Sequence, residues 1–281
     1  MNPLMDVDTL LGRLDDPQLR ILDARFELLD PPAGRRMYRE GHVPGALFVD
    51  LDEVLAAAPE RHGGRHPLPD MATFAAWMGE HGIGDQHEVV VYDQGGTMFA
   101  ARAWWLLRYA GHANVRVLDG GYGAYREAGG PVDPDEPHFA PATLSVRLRS
   151  EMAVDRARLR AMLYDPQVCI LDVRSPERYR GETEPIDPKA GHVPSAVNRP
   201  YERTMTASGR FRSLAELREQ FAITAGRSEV VSYCGSGVSA AHAILAMEVA
   251  GLAGARLYPG SWSDWCSYDD LPVALGDEED A

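Results

Sequence analysis

The chain repeats itself once, and this duplication limits its possible folds more than any other feature. Ile21-Leu22-Asp23-Ala24-Arg25 recurs as Ile170-Leu171-Asp172-Val173-Arg174, and Gly41-His42-Val43-Pro44-Gly45-Ala46 recurs as Gly191-His192-Val193-Pro194-Ser195-Ala196. Val89–Asp93 matches Val230–Cys234, and Val117–Tyr122 matches Leu257–Trp262, in the same order and at an offset of between about 140 and 150 residues. A period this long describes two homologous domains rather than a solenoid of short units. Between the halves, Gly129-Gly130-Pro131-Val132-Asp133-Pro134-Asp135-Glu136-Pro137 is rich in Gly, Pro and acid and reads as a linker. The expected division is a first domain over 1–135, a linker over 136–149 and a second domain over 150–281.

Each half alternates strand and helix signals. A short apolar run ends in Asp-x-Arg. A second run, Val89–Tyr92 or Val230–Tyr233, leads into a small-residue loop, and a helical pattern follows over Ala100–Tyr109 or Ala240–Val249. Gly111 and Gly251 stand where those helices would stop. Such alternation predicts an α/β fold with a mainly parallel sheet flanked by helices in each half. Ligands of these sheets bind beyond the carboxyl ends of the strands, where Asp93 and Cys234 fall.

Charge narrows the partners. Forty-two acidic residues against twenty-eight basic ones leave a net charge of −14. Nucleic acid and anionic membrane are therefore not expected, since both need a basic face. A small anionic substrate is compatible if a few arginines supply a local positive field. Lys189 is the only lysine. The stretch Met98–Gly111 is apolar but contains Arg102 and Arg108, and it is too short to span a bilayer. The N-terminal residues lack the basic start of a signal peptide. The three cysteines, Cys169, Cys234 and Cys266, are widely spaced and form no CxxC pair, so neither a disulfide scaffold nor a zinc ribbon is indicated. The expected compartment is the reducing cytoplasm, and no metal or organic cofactor is implied. Cys169, inside an apolar run, is expected to be structural. Cys266, in a polar segment, is expected to be an incidental thiol.

The chemistry concentrates at Cys234-Gly235-Ser236-Gly237-Val238-Ser239, between a strand and a helix. Two glycines and a small hydroxyl residue let the backbone curl with its N–H groups inward. Such a nest, backed by a helix N-terminus, favours a thiolate, a persulfide anion or an oxyanion. Phosphatase-type chemistry needs an arginine six positions after the cysteine to clamp a tetrahedral oxyanion. Position 240 is Ala, and the loop is small enough to suit a single sulfur atom. The sister loop, Asp93-Gln94-Gly95-Gly96-Thr97, begins with a carboxylate that cannot accept sulfur, so one half is expected to be inactive.

With both Asp-x-Arg strands, both Gly-His-Val-Pro turns, one cysteine loop and the closing Gly260-Ser261-Trp262-Ser263-Asp264-Trp265, the chain resembles the tandem-domain rhodanese family over essentially its whole length. The resemblance implies two rhodanese-like domains, an active site in a cleft and a sulfurtransferase carrying sulfur as a Cys234 persulfide. Thiosulfate enzymes of the family carry Arg and Lys after the cysteine, whereas 3-mercaptopyruvate enzymes carry Gly-Ser-Gly-Val-Thr. The Gly-Ser-Gly-Val-Ser loop here is close to the second type. By the same resemblance, Arg178 binds the donor carboxylate with Arg180 as a further candidate, Gly235, Gly237, Val238 and Ser239 complete the donor site, and Ser236, His66 and Asp52 form a proton relay. Some mercaptopyruvate enzymes have a second substrate arginine beyond a Glu-Pro-Glu-Pro segment, and Glu184-Pro185-Ile186-Asp187-Pro188 offers none. The acceptor implied is a thiol, a thioredoxin-like protein or cyanide. A thiosulfate sulfurtransferase and a non-catalytic sulfur-carrier or interaction module stay open as alternatives.

Overall fold

The repeated apolar runs form the central strands of two parallel sheets. The computed structural model describes residues 2–277. In the first unit the elements are β1 (Leu4–Met5), α1 (Val7–Leu11), β2 (Leu19–Asp23), α2 (Ala33–Glu40), β3 (Ala46–Phe48), α3 (Met71–Glu80), β4 (Glu88–Tyr92), α4 (Met98–Tyr109), β5 (Val115–Leu118) and α5 (Gly121–Glu127). The sheet order is β1-β5-β4-β2-β3, with every pair parallel. The second unit follows with α6 (Arg156–Ala161), β6 (Val168–Asp172), α7 (Pro176–Arg180), β7 (Ala196–Asn198), α8 (Leu214–Gln220), β8 (Glu229–Tyr233), α9 (Ser239–Val249), β9 (Arg256–Leu257) and α10 (Ser261–Trp265). Its order β7-β6-β8-β9 repeats the first sheet, with the outermost strand reduced to a parallel bridge between Ala153 and Leu257.

Burial explains why these runs read as unbroken apolar stretches. Val89, Val90, Val91 and Tyr92 are all buried, as a parallel strand covered on both faces requires. The expected helices are present, each beginning slightly earlier than its periodicity suggested, at Met98 and at Ser239. Gly111 and Gly251 each follow the residue that caps the helix. Cys266 differs from its expectation. It caps α10 and lies in the second core with Ile170, Tyr233, Trp262 and Trp265, and burial, followed by the nearby Asp187 charge, pushes its thiol up to about 11. The flanking residues are polar only in sequence. Helical spacing turns the cysteine inward beside the two tryptophans.

The repeated motifs are structural in both units. Arg25 folds back onto Asp23 (Nη2–Oδ2 2.6 Å) and donates to the carbonyl of Gly41 at 2.9 Å. Arg174 does the same with Asp172 at 2.6 Å and the carbonyl of Gly191 at 2.7 Å. His42 stacks on Tyr38 and His192 on Tyr179, each at 3.8 Å between ring centroids, with Nδ1 2.8 Å from the tyrosine's own carbonyl oxygen. Because the unit lacking a cysteine has the same contacts, they secure the strand-to-turn corner rather than the chemistry.

The boundaries differ from a simple bisection. One unit comprises residues up to Ala57, Leu68–Arg149 and Met205–Phe211, and the other comprises Ala58–Pro67, Ser150–Thr204 and Arg212 onward. The segment 136–149, expected as a linker, packs on the first unit. Ala142 N–H donates to Gly79 at 2.9 Å, Asp85 N–H to Thr143 at 3.0 Å and Arg147 N–H to Ala110 at 2.7 Å. Backbone groups that reach a strand end or helix end are satisfied there, so composition alone does not make a segment a loose tether. Among the described residues, no helix is long and apolar enough to cross a membrane.

Candidate active site

Cys234 follows β8 directly, and its side chain lies in the loop that starts α9. The residue is only 2% exposed. Its sulfur accepts from the Gly237 N–H at 3.1 Å. Gly237 has φ +81, in the left-handed region, which turns this amide back onto the sulfur at no steric cost only in a residue without Cβ. Gly235, Ser236 and Val238 are buried around it, while Ser239 is half-buried and opens the helix. Ala240 is fully buried at the start of α9 and supplies no guanidinium of the kind phosphatase chemistry uses as a clamp.

The first unit shows what such a loop holds. From β4 to α4 the spacing is the same as from β8 to α9, with Asp93 at the place of Cys234. Asp93 Oδ1 accepts from Gly95 N–H at 3.0 Å and Thr97 N–H at 2.9 Å, and Oδ2 accepts from Phe99 N–H at 3.1 Å and Ala100 N–H at 3.3 Å. All four partners are donors, so the arrangement suits an anion. Burial pushes the carboxyl pKa up, and the four amides pull against it. The loop of the first unit is thus filled by a carboxyl group of its own, whereas the second presents a sulfur at the same position.

α10 positions the remaining groups. On one side it grips the loop backbone. Ser261 Oγ accepts from Cys234 N–H at 3.1 Å, Trp262 N–H donates to the Cys234 carbonyl at 2.9 Å, and Ser263 N–H donates to the Gly235 carbonyl at 3.0 Å. On the other it holds the 58–67 segment. Asp264 Oδ1 accepts from Gly63 N–H at 2.7 Å, and Ser263 Oγ accepts from Arg65 N–H at 3.1 Å. Gly64, at φ +89, lies so close that a Cβ would stand 2.5 Å from the Gly260 carbonyl oxygen. A side chain there would push the segment away from α10.

The segment held in this way carries His66 and Arg65. His66 Nδ1 and Ser236 Oγ share a 2.7 Å hydrogen bond, and both residues are buried. Two of the three proposed relay members therefore meet within the second unit. Asp52 belongs to the first unit, in the turn after β3, where its N–H donates to Asp50 at 2.8 Å. Burial, then the Asp50 and Glu53 charges, raise its carboxyl pKa. Arg178, on α7, binds Glu184 through Nη2 at 2.7 Å and Asp187 at 3.2 Å. A Cβ built on Gly235 would meet Arg65 Nη2 at 2.8 Å and Arg178 Nη1 at 3.6 Å, so both guanidinium groups stand over the residue after Cys234. Arg180 does not join them. It binds Glu182 at 2.7 Å, and the nearest side-chain atoms to Gly235 belong to Arg65 and Arg178. Lys189 is also directed elsewhere, to the Tyr268 carbonyl at 2.9 Å and Asp269 at 3.2 Å.

Arg65 is the functional candidate that sequence reasoning missed. It sits in Gly63-Gly64-Arg65-His66-Pro67, far along the chain from Cys234. The only available signal was its place beside His66.

A buried sulfur that accepts from a loop amide at the carboxyl end of a parallel strand, with a Ser–His pair and two arginines nearby, suits a cysteine-dependent group-transfer enzyme. The rhodanese-like domain profile matches residues 6–128 and again 155–268. A provisionally named 3-mercaptopyruvate sulfurtransferase of Pseudomonas aeruginosa is 43% identical over 280 residues, covering 98% of each chain. SseB of Mycobacterium tuberculosis, provisionally named a thiosulfate sulfurtransferase, is 42% identical over 265 residues, 93% of this chain and 92% of that one. The crystal structure of SseA from Escherichia coli, described as a 3-mercaptopyruvate sulfotransferase with the rhodanese fold, superposes with a TM-score of 0.81 at 28% identity, covering 93% of this chain and 99% of that one. The chain belongs to the rhodanese family and is a sulfurtransferase built from two rhodanese-like domains.

Proposed function

We propose that the sulfur donor is 3-mercaptopyruvate and that the sulfur passes through a Cys234 persulfide to a thiol acceptor, with thioredoxin-like proteins and cyanide as members of the acceptor class. The observation that carries the donor assignment is the 2.7 Å contact between His66 and Ser236, two residues from Cys234. Sulfur loss from mercaptopyruvate leaves a carbanionic enolate that must gain a proton, whereas thiosulfate leaves sulfite, already a stable anion. A proton-handling pair beside the sulfur serves the first reaction and has little to do in the second.

The Cys234 thiolate attacks the donor sulfur, an S–S bond forms, and the C–S bond breaks with its electron pair passing into the enolate. Ser236 and the loop amides of Gly235, Gly237, Val238 and Ser239 stabilise the developing oxyanion and the persulfide. The Ser236–His66 pair relays the proton lost from the donor S–H to the enolate carbon, giving pyruvate and leaving the Cys234 persulfide as an anion. Arg178 takes the donor carboxylate. An acceptor thiolate then attacks the outer sulfur, and the Cys234 thiolate leaves. Arg180, bound to Glu182, has no part in this scheme. Asp52 is proposed only as a supporting carboxylate, and an Asp52→Asn variant with unchanged kcat/KM would remove it. The three free cysteines and a thiol acceptor fit a reducing compartment such as the cytoplasm.

A second reading, thiosulfate as donor, has a specific observation behind it: two guanidinium groups over Gly235 could take a dianion. Steady-state kinetics with both donors at matched concentrations separate the two. A higher kcat/KM with mercaptopyruvate is expected, and the reverse would overturn the donor assignment. In the same assay Ser236→Ala is expected to lower kcat/KM for mercaptopyruvate about 100-fold while changing thiosulfate far less, since proton transfer by a positioned group is worth roughly 10²–10⁴-fold. Equal losses with both donors would show that Ser236 acts structurally.

A further inference from the structure

We propose that Arg65 is a second donor-binding arginine and that Asp187, by neutralising it, selects a singly charged donor over a doubly charged one. The first part rests on open donors. Arg65 Nη1 is held by Asp187, while Nη2, the atom nearest Gly235, has no protein acceptor among the described residues. Arg178 likewise binds Glu184 and Asp187 through Nε and Nη2, leaving Nη1 directed at Gly235 without a protein acceptor among the described residues. Two N–H edges from different guanidinium groups therefore converge over Gly235, next in sequence to Cys234, an arrangement suited to a carboxylate.

The second part rests on charge. Asp187 and Glu184 are each 3% exposed at their side chains, whereas Arg65 is 32% exposed. The carboxylates sit behind the arginines, and the arginines face outward. Arg65 is matched by Asp187, Arg178 by Asp187 and Glu184, and Arg174 by Asp172 and Glu184. Three cations thus meet three carboxylates, and the cluster is neutral overall. Such a mouth offers directed N–H donors without a strong net field. It can take a monoanionic carboxylate by hydrogen bonding but gives a dianion little extra attraction. Asp187 acts here as a positioning residue, through Arg65 and Arg178. In sequence the Glu184–Pro188 run had no basic residue to offer. In the fold, its Asp187 instead anchors an arginine from 58–67.

The inference rests on mercaptopyruvate as donor, and the test separates the two claims. Wild type, Arg65→Gln and Asp187→Asn are assayed with 3-mercaptopyruvate and with thiosulfate, and donor-dependent persulfide formation is followed by intact mass as a check on the fold. Arg65→Gln is expected to raise KM for mercaptopyruvate about tenfold with kcat within about twofold, and to depress thiosulfate further still. Asp187→Asn is expected to raise the thiosulfate-to-mercaptopyruvate ratio of kcat/KM about tenfold, since one uncompensated charge acts on a dianion twice as strongly as on a monoanion. An unchanged KM in Arg65→Gln would overturn the clamp. A ratio that stays constant or moves the other way would overturn the selection. Arg65 is partly exposed, so Arg65→Gln keeps both parts testable if Asp187→Asn fails to fold. Wild-type preference for thiosulfate would overturn the donor assignment alone, since the shifts between variants would still report on the clamp.

Discussion

Cys234→Ser is expected to abolish sulfur transfer, lowering kcat/KM by on the order of 10⁴ or more, as removal of a nucleophile that works as a unit with its neighbours does. Serine keeps the size and the loop backbone contacts, because Ser261, Trp262 and Ser263 hold main-chain atoms of the loop and not the sulfur. It removes the one atom able to accept a sulfane sulfur in this loop. Intact-mass spectrometry after donor exposure gives the clearest reading. The wild type should gain one sulfur atom and the variant none, although Cys169 and Cys266 are both still present. Those two thiols are buried, and burial raises the pKa of each, which keeps them protonated and poorly nucleophilic. An added sulfur on Cys234→Ser would sink the assignment of the nucleophile.

Arg174→Met is expected to destabilise the second unit by about 3–5 kcal/mol, since removing one member of a buried ion pair strands the other charge. Asp172 is fully buried and Arg174 is 3% exposed. Asp172 also accepts from the Tyr233 hydroxyl, and that hydroxyl accepts from Val193 N–H at 3.0 Å, so the pair joins β6, β8 and the turn before β7. Combining Arg174→Met with Asp172→Asn should recover part of the loss, because the stranded charge is then gone. Urea unfolding measures both, and a single-variant loss below about 1 kcal/mol would show that the pair does not hold the corner. The pH dependence has a definite sign. Burial alone would lower the Arg174 pKa, and Asp172 more than offsets it, leaving it raised. Stability from a raised pKa is fully present below the unfolded value and is lost only as pH rises through the folded one. The deficit should therefore be flat through the neutral range.

Much of the fold was legible from the duplication. The runs Val89–Tyr92 and Val230–Tyr233 became the central strands β4 and β8, and Asp93 sits at the start of the loop that follows β4, as Cys234 does after β8. These features are local. They follow from apolar runs, from helix stops and from the identity of residues a few positions away. Where local composition was the only guide, it misled. The segment 136–149 was expected as a linker but is bonded to the first unit, and Cys266 stands in a polar stretch of sequence but packs in the core with Trp262 and Trp265.

The 58–67 segment marks the limit of sequence reasoning. No pattern in Glu60-Arg61-His62-Gly63-Gly64-Arg65-His66-Pro67 says that it belongs with the second repeat. Side chains on α10 decide that, through hydrogen bonds to backbone groups more than a hundred residues away in sequence, and through a glycine approach that only the folded chain reveals. The same holds for Arg178 and Arg180, two residues apart on one short helix. One faces Gly235 and the other pairs with Glu182, a choice made by the turn of the helix and the position of buried carboxylates. The sequence by itself determined the doubled α/β architecture, the single sulfur-bearing loop and the sister loop that begins with Asp93, because strand, helix and turn chemistry are short-range. Only the tertiary structure brought Arg65 over Gly235 beside Arg178 and turned Arg180 away, because that placement depends on long-range contacts that leave no periodic trace in the chain.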